Sequence, residues 1–358
     1  MRSPNDDRRP RGAENSRPTE PISQRSPASF LVSVIVPVHD RFELARRAIL
    51  SIRSQTHRPL ELIVVDDASI PAYVLPPEAF DLEVRLVRLD SNRGPGAARE
   101  AGWRIARGEF IAYLDSDDFW APTHLASLVA ALSADPEAGM AYSAAIEMHG
   151  GQPQTLRRRS DEAHAEILPT ILWGRPWHTS ACLWRRDLAE AIGGWMPTWH
   201  WEDYEHDCRA GCLGARLTHR PEPTCFVQTD APGRQSASPD ERRKIESCGL
   251  AVLSMADRIR GTAWYRDPLL RDRIREILLT VAAKASEQKL GGLAARAALE
   301  SWRWPSPSGC LAVASGVALP LVWLAGGRTS ARIFRWARGR LAKDVSRPAT
   351  ALSDELPE

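Results

Sequence analysis

The stretch Ala112–Trp120, which reads AYLDSDDFW, places several carboxylates directly after an apolar run of β-forming residues. A run of this kind that ends in acids is typical of a buried parallel strand whose carboxyl end opens on a ligand crevice. The acids at 115–118 are hard oxygen ligands, which suit Mg2+ or Mn2+ and leave positions open for substrate phosphates. The alternative is that the same acids cap a helix that Pro122 opens at its first turn.

Acids also follow two other predicted strands. Amphipathic helical patterns alternate with apolar runs at 31–37, 60–65, 84–89 and 110–114. This alternation predicts an α/β fold with a parallel sheet, whose ligands lie beyond the carboxyl ends of the strands. Asp40 follows the first strand, and Asp66 and Asp67 follow the second. Coincident capping explains any one of these acidic groups more easily than it explains all of them together.

The composition narrows the class of protein. With 358 residues, 43% of them hydrophobic, the chain is long enough for one large domain with appendages. A net charge of +2 argues against a nucleic-acid-binding protein. The six cysteines form no CxxC pair, which favours a reduced cytoplasmic chain over a disulfide framework. Gly94-Pro95-Gly96 lacks the third glycine of a dinucleotide-binding loop, which argues against that kind of site.

Four motifs follow one another along the chain: SVIVPVHDR, ELIVVDDAS, NRGPGAAREAGWRIARGEFIAYLDSDD and GGWMPTWHWEDYEHDCRA. Together, over roughly Ser33 to Val227, they closely resemble the family 2 glycosyltransferases, GT-A fold enzymes that use nucleotide-diphospho sugars. The resemblance implies an α/β fold of the GT-A type, a Rossmann-like mixed or parallel sheet flanked by helices. Helical patterns after Pro239 predict a C-terminal helical extension.

The resemblance implies a nucleotide pocket at the first two strand ends. Asp40 and Asp67 match the acids that hold the ribose or the base, and Asp66 would shape the same pocket. Pro37 and Val38 would line it. The family commonly has Asn where this chain has Asp40, which keeps the acceptor atoms but loses a donor.

The family's DxD element matches Asp115-Ser116-Asp117. The resemblance implies that Asp115 and Asp117 bind a divalent cation, Mn2+ or Mg2+, that bridges the two phosphates of the donor, with Ser116 in the donor site. Arg99 matches an arginine that approaches the DxD strand or the donor, and the alternative role is a structural ion pair with an acid of the site.

The family's ED element matches Glu202 and Asp203, which are predicted to open a helix. Asp203 is the candidate general base, taking the proton from an acceptor hydroxyl as that oxygen attacks the anomeric carbon with inversion. The alternative is a pair of first-turn acids that complement the helix dipole. The QxxRW signature of processive polysaccharide synthases is not found after Asp203, which favours transfer of a single sugar.

Aromatic residues around these motifs offer candidates for sugar contacts: Trp177, His178, Trp195 and Trp201. Rings stacked on a sugar would explain the tryptophans, and core packing would explain them as well. Two further departures from the family pattern are Ala68, where relatives commonly have Gly, and Glu100, where they commonly have Asn. Glu100 would put a charge near the donor pocket.

The chain is predicted to divide into a disordered tail, a catalytic domain, a helical extension, an apolar hairpin with a basic amphipathic helix, and a second tail; the boundaries are 1–29, 30–235, 236–304, 305–344 and 345–358. The alternatives for 305–344 are contact with the inner face of a membrane or packing on the catalytic domain. The predicted protein is cytoplasmic, with a nucleoside-diphosphate sugar donor and a glycan or lipid-linked acceptor as partners. The alternative is a non-catalytic relative that binds a nucleotide sugar or a partner.

Overall fold

The computed structural model describes residues 26–157, 159–234 and 239–305. Of the tail predicted at 1–29, only 26–29 are described, and Pro27–Ser29 form a short 3-10 helix there. The predicted hairpin and basic helix, apart from residue 305, and the tail at 345–358 lie outside the described residues. Within the described ranges, no helix is long and apolar enough to cross a membrane.

The described strands form one mixed sheet of nine strands. They are β1 (Val32–Val38), β2 (Leu60–Asp66), β3 (Glu83–Arg88), β4 (Phe110–Tyr113), β5 (Phe119–Trp120), β6 (Ala138–His149), β7 (Gln152–Leu156), β8 (Cys182–Arg185) and β9 (Arg216–Gln228). Their order is β3-β2-β1-β4-β8-β6-β9-β5, with β7 paired to β6. The first four strands in chain order run parallel, whereas β8 is antiparallel to β4 and β6, and β5 is antiparallel to β9. The predicted α/β class with a mixed or parallel sheet is confirmed.

Eight α-helices flank the sheet or follow it in the described part of the chain. They are α1 (Phe42–Arg53), α2 (Pro95–Ile105), α3 (His124–Ala134), α4 (Arg186–Ile192), α5 (Glu202–Cys212), α6 (Glu241–Arg260), α7 (Pro268–Glu287) and α8 (Gly291–Trp302). The helix that we expected to open at Pro122 begins at His124, because Pro122 lies in a turn closed by the Ala121 carbonyl and the His124 N–H.

The predicted helical extension shares the core of the catalytic domain. One cluster of buried apolar side chains includes Ile35 of β1, Trp195 before α5 and Ile274 of α7. The Arg273 guanidinium also donates to the Leu172 carbonyl across the same junction, at 2.8 Å. Side-chain caps begin two of these helices, with Asp240 accepting from the N–H of Arg243 and Asp267 accepting from the N–H of Leu269. These helices therefore buttress the sheet and the loop that enters α5.

The parallel strands bring their carboxyl ends to one edge of the sheet. The central residues of β1 and β2 are buried, as expected for strands covered on both faces. Val38 is in register with Asp66, and Ile35 with Tyr113. The segments that follow β1, β2 and β4 therefore start beside one another, and each of these segments carries acids that the sequence singled out.

Candidate active site

A pocket of about 270 Å³ opens at this edge of the sheet. Most of the residues singled out from the sequence line it: Pro37, Val38, Asp67, Arg99, Asp115, Ser116, Asp117, His178, Trp201, Glu202 and Asp203. Asp40, Asp66, Trp177 and Trp195 are not among its lining residues. The structure thus assembles the acids that follow β2 and β4 and those at the start of α5 around one space.

Asp66 and Asp40 tie neighbouring loops together beside the pocket. The buried carboxylate of Asp66 accepts from the backbone N–H groups of Ser69 (2.8 Å) and Tyr73 (3.1 Å) and pairs with Arg88. Burial opposes ionisation, but these contacts outweigh it and lower the pKa of Asp66. Asp40 accepts from the N–H of Ile70 at 3.0 Å. These contacts fit the expected shaping role of Asp66, and they direct Asp40 to the loop after β2.

Trp177 and Trp195 are packed in the core and leave no ring face for a sugar. The side chain of Trp177 is 1% exposed, and its indole N–H donates to Asp207 at 2.6 Å. The ring of Trp195 stacks on His206 with centroids 4.1 Å apart. The packing alternative therefore describes both residues, and of the three tryptophans proposed for sugar contacts, Trp201 lines the pocket.

Several non-glycine residues around the pocket have a left-handed backbone. Asp40 (φ 54°) and Arg41 (φ 40°) turn the chain from β1 into α1, and Trp201 (φ 63°) precedes the first residue of α5. Ala68 has φ 58°, which explains physically why glycine suits this position. Such conformations cost about 1–3 kcal/mol each and cluster at functional sites.

The Gly94-Pro95-Gly96 turn is shaped by packing on the segment that leads into α5. Gly94 has φ 84°, and a Cβ added there would lie 3.2 Å from the ring of Trp199. A Cβ on Gly96 would lie 2.2 Å from the Met196 carbonyl oxygen and 3.3 Å from the Cβ of Glu202. Glycine is required here because two backbone segments approach closely.

The DxD loop, Asp115–Asp118, is anchored by the segment that precedes β8. The Ser180 hydroxyl donates to Asp118 Oδ2 at 2.6 Å and accepts from the N–H of Asp115 at 3.1 Å. The N–H of Gln228 donates to Asp118 Oδ1 at 3.1 Å. Burial raises the pKa of Asp118 well above its usual value, and Asp117 and Asp115 add to the effect. Asp118, which lies outside the DxD match, thus anchors the loop through these hydrogen bonds.

Three side chains in the described part of the chain could hold one metal ion. Ligand atoms of Asp115, Asp118 and His178 all lie within 4.8 Å of one another. Burial lowers the pKa of His178 well below its usual value, and the neutral imidazole is the form that ligates metals. Carboxylate oxygens and an imidazole nitrogen are a suitable donor set for Mn2+.

Asp117 lies outside that group, and its carboxylate is paired with Arg41. The Arg41 guanidinium donates to Asp117 Oδ2 at 2.8 Å, and Arg47 donates to the Asp117 carbonyl at 2.5 Å. That Asp115 and Asp117 together hold the cation stays a prediction, and Asp118 and His178 are further candidate donors beside Asp115. The signal for Arg41 was its place directly after Asp40 at a strand end.

Arg99 joins the DxD loop to α5. Its guanidinium is 4% exposed and contacts Asp115 at 2.6 Å and Glu202 at 2.7 Å. Burial acts to lower the pKa of Arg99, but the two carboxylates outweigh it and raise that pKa. Burial raises the pKa of Glu202 to about 7, although Arg99 acts in the opposite direction. The ion-pair alternative for Arg99 describes what the structure contains.

Asp203 stands at the start of α5 with its side chain 25% exposed to the pocket. Its Oδ1 accepts from the N–H of Tyr204 at 2.9 Å, and its Oδ2 lies 3.3 Å from the Thr179 hydroxyl. Arg175, which sequence reasoning missed, lies 3.1 Å from the same Oδ2. A carboxylate held in this way can accept a proton from a hydroxyl group bound in the pocket.

Glu100 does not contribute a charge to the pocket, contrary to our expectation. Its carboxylate accepts from the N–H of Trp195 at 2.8 Å and pairs with Arg104 at 2.7 Å. It is not one of the pocket-lining residues. Glu100 therefore supports the turn before α5.

Comparisons with known proteins show which family and fold this chain is similar to. Residues 33–193 match the family model described as Glycosyl transferase family 2. The uncharacterized glycosyltransferase alr2836 of Nostoc sp. is 28% identical over 193 residues, which cover 51% of this chain and 58% of the relative. The succinoglycan biosynthesis protein ExoO of Rhizobium meliloti is 42% identical over 99 residues, 27% of this chain and 28% of the relative. The chain thus spans 58% and 28% of the lengths of these two relatives.

Among solved structures, the chain is similar to S. aureus TarS 1-349, whose crystal structure is in complex with UDP-GlcNAc. The TM-score is 0.64 at 15% sequence identity, and the match covers 88% of this chain and 93% of that chain. At this identity the likeness shows the fold, a mixed sheet with flanking helices and a helical C-terminal region.

Proposed function

We propose that this chain, whose residues 33–193 match the glycosyltransferase family 2 model and whose fold is of the GT-A type, is an inverting glycosyltransferase. In this proposal it moves a single sugar from a nucleoside-diphosphate sugar to an acceptor hydroxyl. The observation that carries the proposal is that the DxD loop and Asp203 line the same pocket. A site for the leaving diphosphate and a site for the attacking hydroxyl are thereby within one space, as direct displacement requires.

The nucleoside would bind beside β1 and β2. Pro37, Val38 and Asp67 line that part of the pocket. The Asp67 carboxylate accepts from the backbone N–H groups of Arg93 and Gly94, each at 2.8 Å, which fixes its orientation. Each carboxylate oxygen has a second lone pair, so Asp67 can also accept from a ribose hydroxyl or a base N–H.

The cation would bind at the DxD loop, and Mn2+ or Mg2+ suits its donors. We assign it to Asp115 and Asp117, which face the pocket, with His178 within reach of Asp115. The Asp118 side chain is only 2% exposed and both of its oxygens accept hydrogen bonds, which suits an anchor of the loop. The chemistry that these residues would gain from a bound cation is that of a Lewis acid, which would neutralise charge on the leaving nucleoside diphosphate.

Asp203 would act as the general base. The N–H of Tyr204 takes one lone pair of Oδ1, which leaves the other for the proton of an acceptor hydroxyl. Attack by that oxygen on the face opposite the leaving group inverts the anomeric centre, and no sugar–enzyme intermediate forms. Glu202 would hold Arg99 beside Asp115, which keeps the start of α5 aligned with the DxD loop.

The acceptor is proposed to be a glycan or a lipid-linked sugar in polysaccharide biosynthesis, which the name of the relative ExoO supports. Trp201 and His178 line the pocket and are the remaining candidates for contact with the acceptor or the donor sugar. A cytoplasmic location with contact to the inner face of a membrane stays a prediction, since it depends on 305–344.

A donor screen tests the proposal. UDP-, GDP- and dTDP-sugars are incubated with the protein, Mn2+ and a panel of glycoside acceptors, and release of nucleoside diphosphate is measured. Asp117→Ala and Asp203→Ala should each reduce release, the loss of the base by about 10²–10⁴-fold. Asp187→Ala, at an exposed aspartate of α4, is the matched control and should keep wild-type activity. Binding of a donor without any release would instead favour a non-catalytic nucleotide-sugar-binding protein.

A further inference from the structure

Arg175 is a buried arginine that contacts the proposed base but belongs to none of the predicted motifs. Its side chain is 5% exposed, and its Nη1 lies 3.1 Å from Asp203 Oδ2. Its Nε donates to Asp207 Oδ2 at 2.7 Å. The two carboxylates together outweigh burial and raise the pKa of Arg175, so the guanidinium is charged. One fixed positive charge therefore lies between two acids of α5.

The spacing of those acids explains why an arginine is needed there. Asp203 and Asp207 are four residues apart, so they lie on the same face of α5. Asp207 is fully buried, and the indole N–H of Trp177 donates to its Oδ2 at 2.6 Å. A buried carboxylate needs a paired cation, and Asp207 thus fixes the position of the guanidinium. The planar fork of arginine can contact both acids at once, which the ammonium of lysine does less well.

We propose that Arg175 is a positioning residue for the general base, an inference that rests on the proposed transferase function. Arg175 and Thr179 occupy Oδ2 of Asp203, which leaves Oδ1 to accept the proton of the attacking hydroxyl. The guanidinium charge favours the ionised carboxylate, the form that can act as a base. Asp207 pairs with the same guanidinium, and this pairing reduces the electrostatic effect of Arg175 on Asp203.

The segment that contains Arg175 also anchors the DxD loop, where the diphosphate of the donor is proposed to bind. Ser180, five residues after Arg175, anchors the DxD loop through Asp118 and the N–H of Asp115. The distance between the base and the diphosphate site is therefore set by one stretch of chain. A displacement of Arg175 changes the approach of the acceptor oxygen, and a 1 Å misplacement costs about 10²-fold in rate.

Other titratable or charged groups also face Asp203, and they define the background for a pH experiment. They come from α5 itself, the turn before it, β8 and α6: Glu202, Asp207, His200, Cys182 and Cys248. None of these five groups is a permanent cation, whereas Arg175 is one and lies in direct contact with the Asp203 carboxylate. The removal of Arg175 should therefore shift the pH profile of the reaction in one predictable direction.

The test compares pH profiles of nucleoside diphosphate release, using the best donor and acceptor of the screen. In Arg175→Met, kcat should fall about 10²-fold while KM for the donor stays within about twofold. The acidic limb of kcat/KM should move to higher pH, because the cation that lies 3.1 Å from the carboxylate has been removed. Arg175→Lys should restore the acidic limb but not the full kcat, because it keeps the charge without the fork.

Asp207→Asn provides the opposite perturbation. It removes a negative charge and leaves the guanidinium to Asp203, so the acidic limb should move to lower pH. The control is Arg209→Met, which removes a different buried arginine, one that lies on α5 and pairs with Glu205 at 2.9 Å. This control should lower Tm without moving the acidic limb. A folded Arg175→Met protein with an unshifted acidic limb overturns the inference, whereas no turnover by the wild type overturns the proposed function on which it rests.

Discussion

Substitution of Gly96 by alanine probes the contact between α2 and the segment that carries the proposed base. The new Cβ would lie 2.2 Å from the Met196 carbonyl oxygen, whereas ordinary van der Waals contact begins at 3.4 Å. The carbonyl must therefore retreat by about 1.2 Å, and the Cβ of Glu202, at 3.3 Å, must also give slightly. Because backbone cannot rotate away as a flexible side chain can, the displacement passes along the chain into the start of α5.

Both stability and activity should respond to this change. Overpacking costs about 1–3 kcal/mol, and the higher helix propensity of alanine returns up to about 1 kcal/mol. The difference is a net loss of up to about 2 kcal/mol, which corresponds to a decrease in Tm of up to about 3 °C for a chain of 358 residues. A shift of about 1 Å near Asp203 should lower kcat by about 10²-fold.

The assay pairs thermal unfolding with the rate of nucleoside diphosphate release. Gly292→Ala is the matched control, because Gly292 also lies in the first turn of a helix, α8, and a Cβ added there would have no neighbouring atom within 4 Å. That variant should be as active as the wild type and more stable by about 0.4–1 kcal/mol. If Gly96→Ala kept wild-type Tm and turnover, the close approach of α2 to this segment would not control the site.

Further variants test the ion pairs and the cation site. Arg99→Met should lower the free energy of unfolding by about 3–5 kcal/mol in urea titrations, because it leaves the carboxylates of Asp115 and Glu202 without their shared cation. Equal stability to the wild type would contradict that role. The pKa of Glu202 is raised from 4.5 to about 7, so its stabilising contribution is full below pH 4.5 and is lost as pH rises through 7. The stability of the wild type relative to Glu202→Gln should therefore decline across that range, and a pH-independent difference would refute this. Asp117→Asn should weaken Mn2+ binding in calorimetry about tenfold or more, and unchanged affinity would exclude Asp117 as a ligand.

The sequence was sufficient for the fold class and for the first half of the sheet. Continuous apolar runs such as Val32–Val38 and Leu60–Asp66 are buried on both faces, and that is the pattern of a central parallel strand. The later strands were not anticipated in detail. β9 extends from Arg216 to Gln228 and includes two prolines and several charged residues, so its composition is not that of a typical strand.

For the candidate site, the sequence indicated the acids but not their partners. The motifs at strand and helix ends contain Asp115, Asp203 and Arg99, so these residues could be identified from the sequence. Arg175 lies 28 residues before Asp203 in a loop without regular structure, and no periodicity links the two. Trp177 illustrates the reverse case, since a tryptophan beside a site can be a core residue whose indole N–H has a buried partner.

The most direct test of the account is the anomeric configuration of the product. An α-configured nucleoside-diphosphate sugar from the donor screen is incubated with its acceptor, and the first-formed product is followed by proton NMR. Single displacement with Asp203 as base predicts a β-linked product, formed by the wild type and lost in Asp203→Asn. An α-linked product, or undiminished transfer by Asp203→Asn, would contradict the mechanism.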